Sequence, residues 1–308
     1  MTECERIIKD GILPASFFEE ESLCDFRVTK ERKKIWALNI DLLYRFDAVC
    51  RKHHLRYSVA FGCLLGIVRH QGFIPWDDDI DVVMPRDDYE RLKEFKSEFE
   101  NPYFLQFPGE DGGYYFSFAK LRNSNTTGIS VAFRYEEFNQ GIFIDILPLD
   151  NYCPDNIEGN FGRIKDLIAE CSALMRRRNP YPDPTDLQKM ERFSVVREGA
   201  VVSAELDAVL QQFNSAPSDA YVAWCCPVYD YKKMLFPKAL FDDLKEIDFY
   251  GHPVMIPRNY DSVLRITYGN YMELPPVESR GKWHSSNLFN PDIPYALEIR
   301  RLREEDSK

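Results

Sequence analysis

A chain of 308 residues with 44% hydrophobic and 14% aromatic content can bury a sizeable core, as one large domain or two. Its formal net charge of −11 disfavours a nonspecific nucleic-acid binder, which needs clustered cations, but leaves open a nucleotide held through a metal ion. Met1–Asp10 is charged and lacks the apolar centre of a signal peptide, and no stretch approaches the ~20 apolar residues of a bilayer span; both point to a soluble intracellular protein.

Residues 1–29 show little periodicity and are expected to lie on the body as an N-terminal arm. Thr29 can cap a helix from about Lys30 to His53. Ile35, Leu38, Leu42, Phe46 and Val49 give that helix one apolar stripe, which assigns it a structural role. His53 and His54 stand at its C-terminal end, where cations suit the helix dipole.

The chain then reaches its most informative stretch, Tyr57 to Tyr89. A strand pattern (Tyr57, Val59, Phe61) stops at Gly62. A short apolar helical segment, Cys63 to Val68, follows, and then a loop with Arg69, His70, Gln71 and Gly72. The strand–glycine–helix turn aims backbone N–H groups at an anion. About 15 residues later comes Trp76-Asp77-Asp78-Asp79-Ile80-Asp81, running into Val82-Val83-Met84. Residues two apart on a strand share a face, so Asp79 and Asp81 present two carboxylates together while Ile80 and Val82 are buried. Like charges raise each other's pKa unless a cation lies between them. A hard ion such as Mg²⁺, with Mn²⁺ as the alternative, fills that role. A solvated acidic loop is the plainer reading, but flanking Phe73, Ile74, Trp76, Val82 and Val83 argue against it. A phosphate cradle followed by a metal-binding strand outlines a phosphoryl-transfer site.

Phe61-Gly62-Cys63-Leu64-Leu65-Gly66-Ile67-Val68-Arg69-His70, Gly72-Phe73-Ile74-Pro75-Trp76-Asp77-Asp78-Asp79-Ile80-Asp81 and Asp88-Tyr89 together resemble the signature of the LicD family. That family includes bacterial phosphocholine transferases and is similar to the fukutin-type ribitol-phosphate transferases, a branch of the nucleotidyltransferase fold. The resemblance implies that Gly62, Cys63 and Leu64 offer backbone contacts to phosphate and that Arg69 neutralises charge. Cys63 stands where the family often has Thr, so no hydroxyl contact is expected there.

Arg86 to Phe99 reads as an amphipathic helix. Pro102–Pro108 and Tyr114–Arg122 read as two strands joined by Gly109-Glu110-Asp111-Gly112-Gly113. The second carries Lys120 and Arg122, which alone would read as a solvated strand face; by resemblance Lys120 is a phosphate contact. Gly141 to Asp150 is a buried strand broken by one charge, Asp145. A lone buried carboxylate is costly unless paired, and no local partner is visible. By resemblance Asp145 is the third carboxylate, beside Asp79 and Asp81.

Residues 155–215 read as two helical runs around Asn179-Pro180-Tyr181-Pro182-Asp183-Pro184. Arg176-Arg177-Arg178 reads as a solvated helix end, with an anionic polymer or a peripheral membrane contact as its functional alternative. Ile247–Tyr250 and Val254–Ile256 read as a hairpin across Gly251-His252-Pro253, and Asn259–Tyr268 as a short helix. Gly269 to Pro276 is similar to the family's C-terminal pattern, which makes His284 a substrate contact. The eight cysteines show no CxxC pair or zinc-ligand spacing and read as reduced and mostly structural.

The expected fold is α/β: a nucleotidyltransferase-type mixed β-sheet with flanking helices. Its parts are an arm (1–29), a catalytic core (30–154), a helical insertion (155–215) and a C-terminal part completing core and substrate site (216–308). The expected function is Mg²⁺-dependent transfer of a phospho-alcohol from a CDP-alcohol, CDP-choline first, to a sugar hydroxyl of a glycan or lipid-linked acceptor. Asp79, Asp81 and Asp145 would be catalytic and metal-binding, in a cytoplasmic protein at the inner face of the membrane. The rivals are a nucleotidyltransferase releasing pyrophosphate and a non-catalytic scaffold. The oligomeric state is not indicated.

Overall fold

The computed structural model describes residues 1–153, 157–193, 195–223, 230–281 and 287–307. His284, Cys225 and Cys226 lie outside them. In chain order the elements are α1 (Glu3–Lys9), β1 (Glu21–Leu23), β2 (Phe26–Val28), α2 (Lys30–Lys52), β3 (Ser58–Val59), α3 (Phe61–His70), β4 (Asp81–Pro85) and α4 (Arg86–Leu92). Then come β5 (Tyr103–Gln106), β6 (Ala119–Asn123), β7 (Thr127–Ser130), β8 (Ile142–Asn151), α5 (Ile157–Arg176), α6 (Pro184–Glu191) and α7 (Gly199–Gln211). The remainder is β9 (Ala220–Val222), β10 (Leu235–Pro237), α8 (Ala239–Asp242), β11 (Leu244–Phe249), β12 (His252–Pro257), α9 (Tyr260–Tyr268), β13 (Asn287–Asn290) and α10 (Tyr295–Asp306).

The main sheet is mixed, and β8 is its axis. β4 runs parallel to β8 on one side, with Asp81 opposite Asp145. β6 runs antiparallel to β8, with Lys120 opposite the same Asp145. β3 extends the sheet beyond β4, β5 extends it beyond β6, and β9 pairs with the far end of β8. This is the expected α/β architecture. Along β8, Ile142, Ile144 and Ile146 are buried while Phe143 and Asp145 between them are half-buried. The period of two thus sends one face to the core and the other toward a partly open surface.

Helix α2 carries the core. Its N-cap Thr29 accepts from the Arg32 N–H, and Leu38, Leu42 and Phe46 are fully buried with Ile144 and Ile146 in one apolar cluster. Burying each such side chain contributes about 1.5–3 kcal/mol. α5 and α7 enclose a second cluster of their own, built on Ile164, Leu167, Cys171, Val202, Leu206 and Leu210.

Several local expectations are corrected. Residues 1–29 are not irregular throughout: Thr2 and Glu5 form a reciprocal capping box on α1, and β1 and β2 pair as a hairpin. The helix from Arg86 ends at Leu92 and continues as 3₁₀ turns to Glu98. The second helical run divides into α6 and α7. The β11–β12 turn is Tyr250-Gly251, both at positive φ (55° and 84°), so His252 and Pro253 belong to the strand. Arg176 is buried against Asp186 at 2.7 Å, Arg177 donates to the carbonyls of Met190 and Phe193, and Arg178 lies 3.6 Å from Glu136. Arg176 is thus an internal fastener, whereas Arg177 and Arg178 are exposed just past the end of α5, as expected of a solvated helix end.

Candidate active site

The acidic stretch enters the sheet one residue before β4. The Asp145 N–H donates to the Ile80 carbonyl at 2.9 Å, so the ladder between the two chains begins at Ile80. Ile80 and Val82 are fully buried, which leaves Asp79 and Asp81, both half-buried, flanking Ile80. Asp81 and Asp145 face each other across neighbouring parallel strands. Burial holds the Asp79 carboxyl well above the usual carboxylate range, and the charges of Asp77, Asp81 and Asp145 push it the same way. The carboxylates singled out from the sequence thus act on one another electrostatically.

Lys120 is the cation of this group. It makes an ion pair with Asp145, and its ammonium lies 3.4 Å from the centre of the Phe143 ring. It is 5% exposed, so the solvated strand face that its residue type alone suggested does not hold. Burial lowers its pKa to about 8 even though Asp145 pulls the other way. Arg122 is equally buried, bonded to Gln106 Oε1 at 2.6 Å and to the Gly141 carbonyl at 2.9 Å.

Helix α3 opens beside the acidic loop. Phe61 enters it at a φ of 45°, an uncommon conformation of the kind stored at functional sites, and no side chain caps the helix. Gly62 is required by proximity: a Cβ there would stand 2.7 Å from Asp77 Oδ2. Gly66 is required by packing, since a Cβ would stand 2.5 Å from the Gly72 carbonyl oxygen. Cys63 and Leu64 are buried, and burial, with Asp81, Asp77 and Asp79, pushes the Cys63 thiol well up.

Arg69 stands seven residues further along α3, roughly 10 Å from Gly62 at the helical rise. Its guanidinium donates to the carbonyls of Tyr271 (2.7 Å) and Glu273 (3.3 Å) and to His70 Nε2 (2.9 Å). The structure therefore sets it as an anchor between α3 and the 271–273 segment. The bond from Arg69 leaves the His70 proton on Nδ1. Burial, then Arg69 and Arg280, lowers the His70 pKa to about 4, so the ring is neutral.

Among the described residues no three His, Cys, Asp or Glu side chains already close around one point as a metal cage. The donor set nevertheless suits a hard cation. It is all carboxylate oxygen, and Asp79, raised first by burial and then by the neighbouring Asp77, Asp81 and Asp145 charges, stands where a divalent ion would relieve that repulsion. Asp77 was not singled out as a site residue in the sequence. Its proximity to Gly62, and its charge on Asp79, place it in the site; the glycine requirement at 62 is a spatial signal with no local sequence pattern.

Carboxylates on and just before two neighbouring strands, beside a glycine-led helix, thus gather at one end of a mixed α/β sheet. The chain matches, over residues 54–166, the family described as LicD/FKTN/FKRP, nucleotidyltransferase domain. It is 27% identical over 271 residues to the lipopolysaccharide cholinephosphotransferase LicD of Haemophilus influenzae, covering 85% of this chain and 98% of that protein. An uncharacterized protein of Rickettsia prowazekii is 30% identical over 135 residues, 42% of this chain and 47% of that one. One of Rickettsia typhi is 39% identical over 82 residues, 26% of each.

Proposed function

We propose that this protein is a transferase that moves phosphocholine from CDP-choline to a sugar hydroxyl of a cell-surface saccharide or its lipid-linked precursor. The similarity to a lipopolysaccharide cholinephosphotransferase along nearly that protein's whole length supports the class of reaction. The observation that carries the chemistry is the register of β8, which sets Asp145 opposite both Asp81 and Lys120.

In this reading the acceptor oxygen attacks the phosphorus that bears choline. The bond from that phosphorus to the bridging oxygen breaks, and CMP leaves with the electron pair. The acceptor proton passes to a carboxylate, which we assign to Asp145. Asp79, Asp81 and Asp145 would hold Mg²⁺, which when bound would neutralise the diphosphate oxygens. Lys120, held against Asp145, stabilises charge that develops on the transferred group. The N–H groups of Gly62 and Cys63 at the start of α3 are offered to the phosphates; that of Leu64, also expected to contact them, donates to the Ala60 carbonyl at 3.0 Å instead. No described helix is long and apolar enough to cross a membrane; the reading places the protein in the cytoplasm, at the face of the membrane that carries the acceptor.

The test is transfer itself. CDP-[¹⁴C]choline, Mg²⁺ and a saccharide acceptor are incubated with the protein, and label is followed into the saccharide. Label in the acceptor that depends on Asp81 supports the reading. Label transferred equally by wild type and Asp81→Asn, or not at all, refutes it.

A further inference from the structure

The acidic loop is held by a helix that carries no carboxylate of the site. The Asp77 carbonyl accepts two hydrogen bonds, from Trp36 Nε1 at 2.8 Å and from Arg32 Nη1 at 2.9 Å. The Asp78 carbonyl accepts one from Asn39 Nδ2 at 2.8 Å. Arg32 also lies 3.6 Å from Asp78 Oδ2. The donors stand at i, i+4 and i+7 of α2, one face of a helix. Trp36 and Asn39 are completely buried, and the Trp36 ring stacks on Phe73 of the same loop at 4.7 Å and 7°. Asn39 Oδ1 has no hydrogen-bond partner among the described residues, so the observed orientation of its amide is fixed through Asp78.

We propose that Arg32, Trp36 and Asn39 are positioning residues: by fixing the carbonyls of Asp77 and Asp78 against α2 they set the aim of the Asp77–Asp81 carboxylates toward a divalent cation. The cation rests on the reading given under Proposed function; the tethering does not. Two consecutive carbonyls tied to a core helix remove the freedom of the peptide planes just before Asp79. The geometry of the carboxylates that follow is then set by α2 packing rather than by an ion. Groups that orient a ligand residue in this way typically tune metal affinity by 10–100-fold. A purely structural duty, satisfying buried carbonyls, would lower stability without changing affinity in the folded protein.

The experiment uses Mn²⁺ as the probe, its free fraction read by electron paramagnetic resonance, with thermal unfolding measured on the same samples. The double variant Trp36→Phe/Asn39→Leu keeps apolar volume and removes two donors. It is expected to bind Mn²⁺ about tenfold more weakly while unfolding cooperatively. Arg32 supplies the second arm, which stands if the double variant does not fold. Arg32→Lys, which keeps a cationic donor, should retain affinity that Arg32→Met loses. Wild-type affinity in the double variant, equal affinity in the two Arg32 variants, or no Mn²⁺ binding by wild type overturns the proposal. Wild type that binds Mn²⁺ but transfers no label from CDP-choline counts against the transfer reading alone.

Discussion

Lys120 and Asp145 are direct partners across the antiparallel β6–β8 pair and join their charges in an ion pair. The same Asp145 faces Asp81 across the parallel β4–β8 pair. One carboxylate therefore stands between a cation on one side and a carboxylate on the other. Lys120→Met should leave Asp145 partly buried without its counter-ion and destabilise the fold by about 3 kcal/mol. Adding Asp145→Asn should recover part of that loss. Both changes should abolish transfer, so chemical denaturation separates the stability effect from the catalytic one.

Asp79→Asn and Asp81→Asn should each abolish turnover while metal-free stability holds or rises. The raised Asp79 pKa means the folded chain holds that proton more tightly than the unfolded one. Its contribution to stability is present in acid and lost as pH rises through the folded pKa. An uncharged amide removes the penalty at neutral pH. Calorimetry without divalent ions checks this, and a clear drop in melting temperature for Asp79→Asn would contradict it.

Gly62→Ala should leave the fold largely intact and lower activity at least tenfold, because its methyl group would meet Asp77 Oδ2. Cys63→Thr should be tolerated, since the thiol is buried and its proton firmly held. Activity of the two variants at matched melting temperature is the measurement.

Glu136 gives a pH signature of its own. It is 2% exposed, and burial raises its carboxyl to about 7, against the pull of Arg178 and with a push from Glu137. The folded state then binds a proton that the unfolded state has released between pH 4.5 and 7. Stability from this group is present below 4.5 and lost as pH rises through 7. Glu136→Gln should flatten the melting-temperature profile across that range; an unchanged slope would assign it to other groups.

The α2 stripe and the β8 strand were legible because each rests on local periodicity, and the ladder starting at Ile80 keeps the alternation read from Asp79 to Val82; the strand read from Tyr57 to Phe61 is only Ser58–Val59, and Gly62 lies inside α3 rather than in a turn before it. The partner of Asp145 was not legible: Lys120 lies 25 residues away and reaches it only through strand register. Arg176 looked solvated for the same reason, since Asp186 meets it across a chain reversal. The capping box of Thr2 and Glu5 was present in the sequence, but α1 spans only seven residues, too few to show a stripe. The tethers from Arg32, Trp36 and Asn39 end on main-chain carbonyls, and no side-chain pattern marks a carbonyl partner.

In the proposed reaction the carboxylates act on the phosphorus bearing the alcohol rather than on the α-phosphorus of a nucleoside triphosphate. Both reactions spread charge over oxygens that a metal ion and basic residues can stabilise, so the carboxylates alone do not separate them. The leaving group does. The measurement is product analysis by ³¹P NMR with CDP-choline or CTP, Mg²⁺ and one saccharide acceptor, using wild type and Asp81→Asn. Phosphocholine transfer gives CMP from CDP-choline with wild type alone and no pyrophosphate from CTP. Pyrophosphate from CTP, with no CMP from CDP-choline, would contradict it.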